Sequence, residues 1–339
     1  GPDMRITHDT LAAYCAHPNV GAVVVIALGC EQVIAQSLAE TARHHGKPAE
    51  IVAIQSEGGT IRATEKGSRI VRAFAETLES QPREWCDDSE LVLSLKCGGS
   101  DYTSGLASNP TLGRVTDRLV AMGGTAVLGE IAEIMGAEHL LAARAVEERT
   151  ATKLIQIITR LETEARALGL NIRGTQPSPG NIRGGLTTLE EKSLGATHKG
   201  GERAPLEDVV GYAATITRKG LNVMDTPGLD VESVTGMVGG GAQGVVFTTG
   251  LGTPTGNPIA PVVKVTGNAR TARMMADNID LDVSGIMDDS ETLDAAADRL
   301  FAEVLAVASG RQTSAERLGH REFAIHRRNP TICAPRLWA

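Results

Sequence analysis

The first 150 residues alternate between β-branched runs and helix-length amphipathic stretches, and few folds accept that pattern. Residues 20–28 (VGAVVVIAL) read as a buried strand, and helical spacing over 31–45 stops at Gly46 before Lys47-Pro48. A second strand over 51–54 runs into Gln55-Ser56-Glu57-Gly58-Gly59, and a second helix spans 60–78. The third strand is 91–95; the helix over 110–122 carries Pro110 in its first turn and Gly123-Gly124 beyond its end. A fourth strand over 125–128 ends at Gly129-Glu130, and a helix over 131–149 follows. Such alternation means βαβ units on a parallel sheet. Right-handed crossovers then bring every strand's carboxyl end to one edge. Cys30-Glu31, Gln55-Ser56, residues 96–101 and Glu130 are therefore expected on a single rim, where open α/β sheets bind ligands.

The second half reads differently. A polar amphipathic helix covers 150–168, and residues 169–205 are rich in Gly, Pro and Thr. A loop that long inside a compact domain points to function. Strands are expected at 221–224, 245–249 and 262–266, with helices near 269–278 and 292–308. The expected α/β architecture is a Rossmann-like parallel-sheet domain over 1–149, then a second α/β domain over 150–339 with long glycine-rich loops and a substrate loop at 169–205. Two domains suit a chain of 339 residues.

Composition removes several classes of function. A net charge of −8 without any Lys/Arg block argues against a nucleic-acid footprint, and 3% aromatic content disfavours base-stacking platforms. No apolar run approaches the ~20 residues of a membrane span. The opening Gly1-Pro2-Asp3-Met4 is not a signal peptide, so a cytoplasmic location is expected. Cys15, Cys30, Cys86, Cys97 and Cys333 are an odd, scattered set with no C-x-x-C pair, which excludes a zinc ribbon or thioredoxin motif.

Leu95-Lys96-Cys97-Gly98-Gly99-Ser100-Asp101 is the densest chemistry in the chain. Glycines at a strand end let backbone N–H groups approach an anion, and Lys96 is expected to lower the pKa of the neighbouring Cys97 thiol. His198-Lys199, flanked by glycines in the long polar stretch, either lies solvated or binds an anionic substrate and moves a proton. Gly239–Gly244 formally matches G-x-G-x-x-G, but that fingerprint must follow a strand and open a helix, whereas this one leads into a β-branched strand. The acidic stretch 277–289 lacks the alternating carboxylates and closing Glu of a calcium loop.

With those segments in view, the chain resembles the altronate/galactarate dehydratase family. LKCGGSD and the following SG and SNP of residues 95–113 carry the likeness, as do GGT…GAEHLL over 123–145 and PSPGN…GGLTTLEEKSLG…KGG over 177–201. FTTGLGTP (247–254) and PVVKVTGN (261–268) add a fourth block. The resemblance implies a sugar-acid hydro-lyase that takes an aldonate or aldarate to a 2-keto-3-deoxy acid, with a divalent metal, usually iron(II). A sister branch eliminates sulfite from sulfolactate. The family's usual opening segment, G-Y-x-R-x-D-G-R, is not found, so the chain is expected to be a large subunit or C-terminal portion. A small N-terminal module or subunit is its expected partner, besides a likeness-implied sugar acid and a second copy in a homodimer. Lys96 stands where some members carry Gln.

For that chemistry Lys199 or His198 is the candidate base, with Asp101 and Cys97 the other candidates for catalysis. Lys96, Gly98 and Gly99 suit a carboxylate; Ser100, Asn181 and Thr249 suit substrate hydroxyls. Cys30, Glu31 and Glu130, with Cys97, are candidate metal ligands, because iron(II) accepts carboxylate and thiolate donors. A rival expectation is a non-catalytic half that binds a sugar acid and acts only with its small module.

Overall fold

The structure, a computed structural model, describes residues Gly1–Arg327; Cys333 lies outside them. The chain forms two compact units, divided between Cys86 and Asp87, with residues 325–327 grouped with the first. The boundary expected from the sequence is 149/150. That position falls inside the second unit because the sheet begun by the third strand is completed by strands beyond residue 200.

The first unit holds β1 (Val23–Ala27) and β2 (Ala49–Ala53), paired in parallel with Val23 opposite Ala49. Helices Pro2–Ala16, Ala35–His44 and Thr60–Glu79 surround them. Ala39, Ala42 and Ala49 form its small core with Cys15, Val23, Val25 and Ile51.

The second unit is built on β3 (Val92–Gly98), β4 (Thr125–Leu128), β5 (Leu206–Val210), β6 (Gly220–Met224), β7 (Gly244–Thr249), β8 (Val262–Thr266) and β9 (Leu281–Asp282). All pairings are parallel, in the order β5-β6-β4-β3-β7-β8-β9. Strands buried on both faces carry continuous apolar runs, which is why periodicity marked them so clearly. On one face Leu93, Leu95, Leu128, Val246 and Val265 join Leu112, Val115 and Leu119 of helix Asn109–Ala121 and Leu300, Phe301 and Val304 of helix Leu293–Ala308. Met237 of helix Asp230–Gly239 packs on the opposite face with Val127 and Met224.

The chain leaves β3 toward β4 on one side and returns from β6, under helix Asp230–Gly239, to β7 on β3's other side. β3 therefore sits where the winding direction reverses, the position at which open sheets form a crevice beyond their carboxyl ends.

The single-rim expectation needs correcting. Residues 96–101 and Glu130 do share the carboxyl edge of the seven-stranded sheet, but Cys30, Glu31, Gln55 and Ser56 follow strands of a separate two-stranded sheet. Alternation specifies strands and crossovers; it does not say which strands pair. The expected helix over 131–149 is broken into Ile131–Ile134, Glu138–Ala142 and the start of Glu148–Ala167, with Gly136 at φ +108° between the first two. The expected loop 169–205 contains two helices, Pro179–Arg183 and Leu189–His198. Ser178 caps the first with a reciprocal Ser178–Asn181 box.

Candidate active site

Four buried side chains meet at the carboxyl ends of β3 and β4: Lys96, Cys97, Glu130 and Lys199. Period-two alternation explains how. Leu93 and Leu95 face the larger core, so Lys96 projects to the opposite face beside helix Asp230–Gly239. Lys199 follows helix Leu189–His198, which packs with helix Asn109–Ala121 on the larger-core face. The two lysines approach from opposite faces and share one carboxylate. Lys96 Nζ donates to Glu130 Oε1, and Lys199 Nζ lies 2.7 Å from Glu130 Oε2. Cys97 N also donates to Oε2, at 3.0 Å, and Lys199 Nζ is 2.7 Å from Cys97 Sγ. Lys96 reaches two further acceptors, the Cys97 carbonyl at 2.5 Å and Asp230 Oδ1 at 2.8 Å, and stands 5.3 Å from the Phe247 ring centroid.

Glu130 occupies the left-handed region, φ +65° and ψ +60°. For a residue other than glycine this costs about 1–3 kcal/mol. The conformation is held by Thr226, whose Oγ1 accepts Glu130 N at 2.7 Å and whose carbonyl accepts Ile131 N at 3.1 Å.

The charges balance as two ammoniums against Glu130 and Asp230. Burial alone would push the Glu130 carboxyl up, but Lys199 and Lys96 hold it down at about 2. Burial likewise opposes both ammoniums; Glu130 and Asp230 raise Lys96 above its ordinary value, and Cys97 with Glu130 raises Lys199. The Cys97 thiol goes the other way from expectation. Burial, then Glu130, raises its pKa more than Lys199 and Lys96 lower it. In the neutral range Cys97 is a thiol, and Glu130 is the anion that keeps Lys199 charged.

A second polar group lies beside the first. Asp101 is buried and its Oδ1 accepts from Thr103 Oγ1 at 2.6 Å and from Ser104 N and Oγ at 3.0 and 3.2 Å, while Oδ2 accepts Asn268 Nδ2 at 2.8 Å. Ser100 presents its carbonyl to Asn181 Nδ2 at 2.9 Å. The Asn181 side chain is thereby committed to shaping this turn. Gly98 is buried where a Cβ would meet Asp230 Oδ1 at 2.6 Å and the Phe247 ring at 2.8 Å. Gly99 turns with φ +57°, and Thr249, opposite Gly98 in the sheet, accepts Gly252 N at 2.9 Å.

Lys96, Cys97, Glu130 and Lys199 are thus in contact, and Gly98, Gly99, Ser100, Asp101, Asn181 and Thr249 border them. His198 is not part of the contact group: its Nδ1 is buried with no hydrogen-bond partner among the described residues. Cys30 and Glu31 belong to the first unit, exposed after β1, where Glu31 accepts Gly29 N at 2.7 Å. Glu130 does not suit a divalent ion, since both its oxygens face ammonium groups and a cation there would be repelled by two lysines. Among the described residues no three His, Cys, Asp or Glu side chains gather to hold a metal. Asp230 and Thr226 carry no local motif, and Phe247 and Asn268 stand in the FTTGLGTP and PVVKVTGN segments, where nothing local assigns them to this site. The G-x-G-x-x-G match closes helix Asp230–Gly239 and leads into β7, as its context predicted. Among the described residues no helix is long and apolar enough to cross a membrane.

Comparison with known proteins gives the geometry a family. The model described as D-galactarate/Altronate dehydratase, C-terminal, matches residues 88–331, and that described as D-galactarate dehydratase/Altronate hydrolase, second domain, matches 1–79. These fall on either side of the structural division at Cys86/Asp87. The (2R)-sulfolactate sulfo-lyase subunit beta of Chromohalobacter salexigens is 40% identical over 328 residues, covering 96% of this chain and 84% of that protein. Altronate dehydratase of Escherichia coli is 35% identical over 98% of the chain, and the L-threo-forming galactarate dehydratase of the same organism 35% over 91%. The chain spans 66% and 60%, respectively, of the lengths of those two dehydratases. By sequence over nearly its full length, and with both family models matched in order, the chain belongs to the D-galactarate/altronate dehydratase family.

Proposed function

We propose that the chain is the large catalytic part of a lyase that removes the α-proton of a 2-hydroxy carboxylate and expels a group from the β-carbon. The leading reading is a sugar-acid dehydratase acting on an aldonate or aldarate such as altronate or galactarate. The observation that carries it is the pair of buried ammoniums, Lys96 and Lys199, meeting at one carboxylate beside a glycine turn. Loss of an α-proton leaves an enediolate, and preorganised cations in a dry site are what its charge requires.

Lys199 is cationic at rest, so a base role needs its proton to leave first. A substrate carboxylate that pairs with Lys96 relieves Glu130 of one of its two cations. Glu130 Oε2, 2.7 Å from Lys199 Nζ, is the acceptor placed to take that proton as the reaction proceeds. The freed amine accepts the α-proton and is an ammonium again, and the proton held on Glu130 passes to the departing hydroxyl, which leaves as water with Glu130 restored to its anion. Backbone N–H groups at Gly98-Gly99 supply further anion contacts, and Asp101 orders the adjoining turn. Glu130, with both oxygens on ammonium groups, is not arranged to hold iron(II).

A second reading, elimination of sulfite from sulfolactate, is favoured by one observation: the chain is 40% identical to the sulfo-lyase beta subunit and 35% identical to the altronate and galactarate dehydratases. That relative's name, a subunit beta, also supports a separate small module as partner; a homodimer is a further proposal, tested by mass in solution.

The deciding experiment assays 2-keto-3-deoxy acid and sulfite release over a panel of sugar acids and sulfolactate. It is run with the chain alone and with a family small module, with and without iron(II), anaerobically. Lys199→Met is expected to lower kcat by about 10²-fold or more, the scale of acid–base catalysis. A Lys199→Met enzyme with full turnover would remove Lys199 from the mechanism. Ligand binding without turnover in every arm would leave a non-catalytic binding half.

A further inference from the structure

We infer that Lys192 is a positioning residue that ties three separate segments of this site into one geometry. The inference rests on the function proposed above for what is positioned, and on contacts alone for the positioning itself.

Lys192 is buried on helix Leu189–His198, the helix that delivers Lys199. Its Nζ reaches Gln176 Oε1 at 2.5 Å, Asn181 Oδ1 at 3.0 Å and Glu133 Oε2 at 3.0 Å. Each partner leads to a different part of the site. Glu133 lies in the turn of helix that Glu130 opens, and Glu133 N donates to the Glu130 carbonyl at 2.8 Å. Asn181 passes the contact onward, its Nδ2 holding the Ser100 carbonyl directly ahead of Asp101. Gln176 anchors the entry to the Ser178–Asn181 capping box.

Chemistry explains why a lysine stands there. The ammonium carries three donors at one point, enough for an amide oxygen, a second amide oxygen and a carboxylate, with Glu133 as counter-charge. It also settles the Asn181 amide: with Oδ1 facing Lys192 and Ser178, Nδ2 must face Ser100. Lys192 thus acts on the β3 turn through Asn181, and on Glu130 through Glu133. Ser193, the next residue, reinforces the same join by donating to the Met135 carbonyl.

The test is a double-mutant cycle on the full chain with whichever acid and small module support turnover. Lys192→Met and Asn181→Ala are each expected to lower kcat about tenfold with KM within about twofold, because misplacement acts on the chemical step. The double variant should lose little more than the worse single variant. Hydrogen exchange, followed on the same proteins without substrate, should quicken in Lys192→Met at residues 100–104 and stay unchanged in β6. Wild-type kcat in Lys192→Met, multiplicative losses in the cycle, or unaltered exchange at 100–104 would each overturn the inference. Should no acid be turned over even by the unmodified chain, the functional reading fails, while the exchange measurement still decides the positioning role.

Discussion

Replacing Glu130 by glutamine removes the one carboxylate that both buried lysines share, while keeping the shape of the side chain. Its carboxyl falls from an ordinary 4.5 to about 2 on folding. A drop of that size corresponds to about 3 kcal/mol of stability at neutral pH, at about 1.4 kcal/mol per tenfold. Breaking a buried ion pair by removing one partner costs about 3–5 kcal/mol, the same range. After the change Lys96 keeps Asp230, but Lys199 retains no carboxylate within salt-bridge distance among the described residues. Glu130→Gln should therefore lose about 3 kcal/mol or slightly more of unfolding free energy at pH 7. The pH dependence has a definite sign. A carboxyl depressed in the folded state contributes fully above its unfolded pKa of about 4.5, and that contribution disappears as pH falls toward about 2. The gap between wild type and Glu130→Gln should be constant from pH 7 to about 5 and shrink below pH 4.5. Urea unfolding by circular dichroism, with hydrogen exchange of β3 and β4 amides to localise the effect, measures both. A difference under about 1 kcal/mol at pH 7, or one that stays flat down to pH 3, would refute the shared-carboxylate account.

Two other perturbations follow from the same geometry. Gly98→Ala places a Cβ 2.6 Å from Asp230 Oδ1 and 2.8 Å from the Phe247 ring, so it should cost about 1–3 kcal/mol and lower turnover by parting Asp230 from Lys96; unchanged thermal stability and rate would count against the close packing. Lys264, buried in β8, has an Nζ with no hydrogen-bond partner among the described residues, and burial lowers its pKa against the opposing pull of Asp280 and Glu322. Lys264→Met should stabilise the fold by about 1–3 kcal/mol at pH 7, read by urea unfolding. Because the unfolded chain binds the extra proton, wild-type stability should climb as pH rises toward 10.5, and the variant should lack that climb.

Much of the second unit could be read without coordinates. β4 and β8 fall where the apolar runs lie, at Thr125–Leu128 and Val262–Thr266, since strands buried on both faces are recorded as unbroken β-branched stretches. β5, with its charged Glu207 and Asp208, and the two-residue β9 carry no such record. The helix that presents Lys199 was obscured by glycines at 195, 200 and 201, which resemble loop composition. At Gly195 a Cβ would come within 3.1 Å of the Gly105 Cα, closer than side chains ordinarily pack.

What the residues alone determined is an α/β chain with chemistry concentrated at strand ends, because periodicity and turn chemistry are local properties. Lys96, Cys97, Glu130 and Lys199 were all visible as candidates for that reason. Only the tertiary structure decided that Lys96 and Lys199 arrive from opposite faces onto one carboxylate, and that Cys30 and Glu31 end a strand of a different sheet. It also reversed the expected thiol pKa, since adjacency to Lys96 is local but burial and the nearness of Glu130 are not. Charge state depends on everything packed around a group, and that list is assembled from distant parts of the chain.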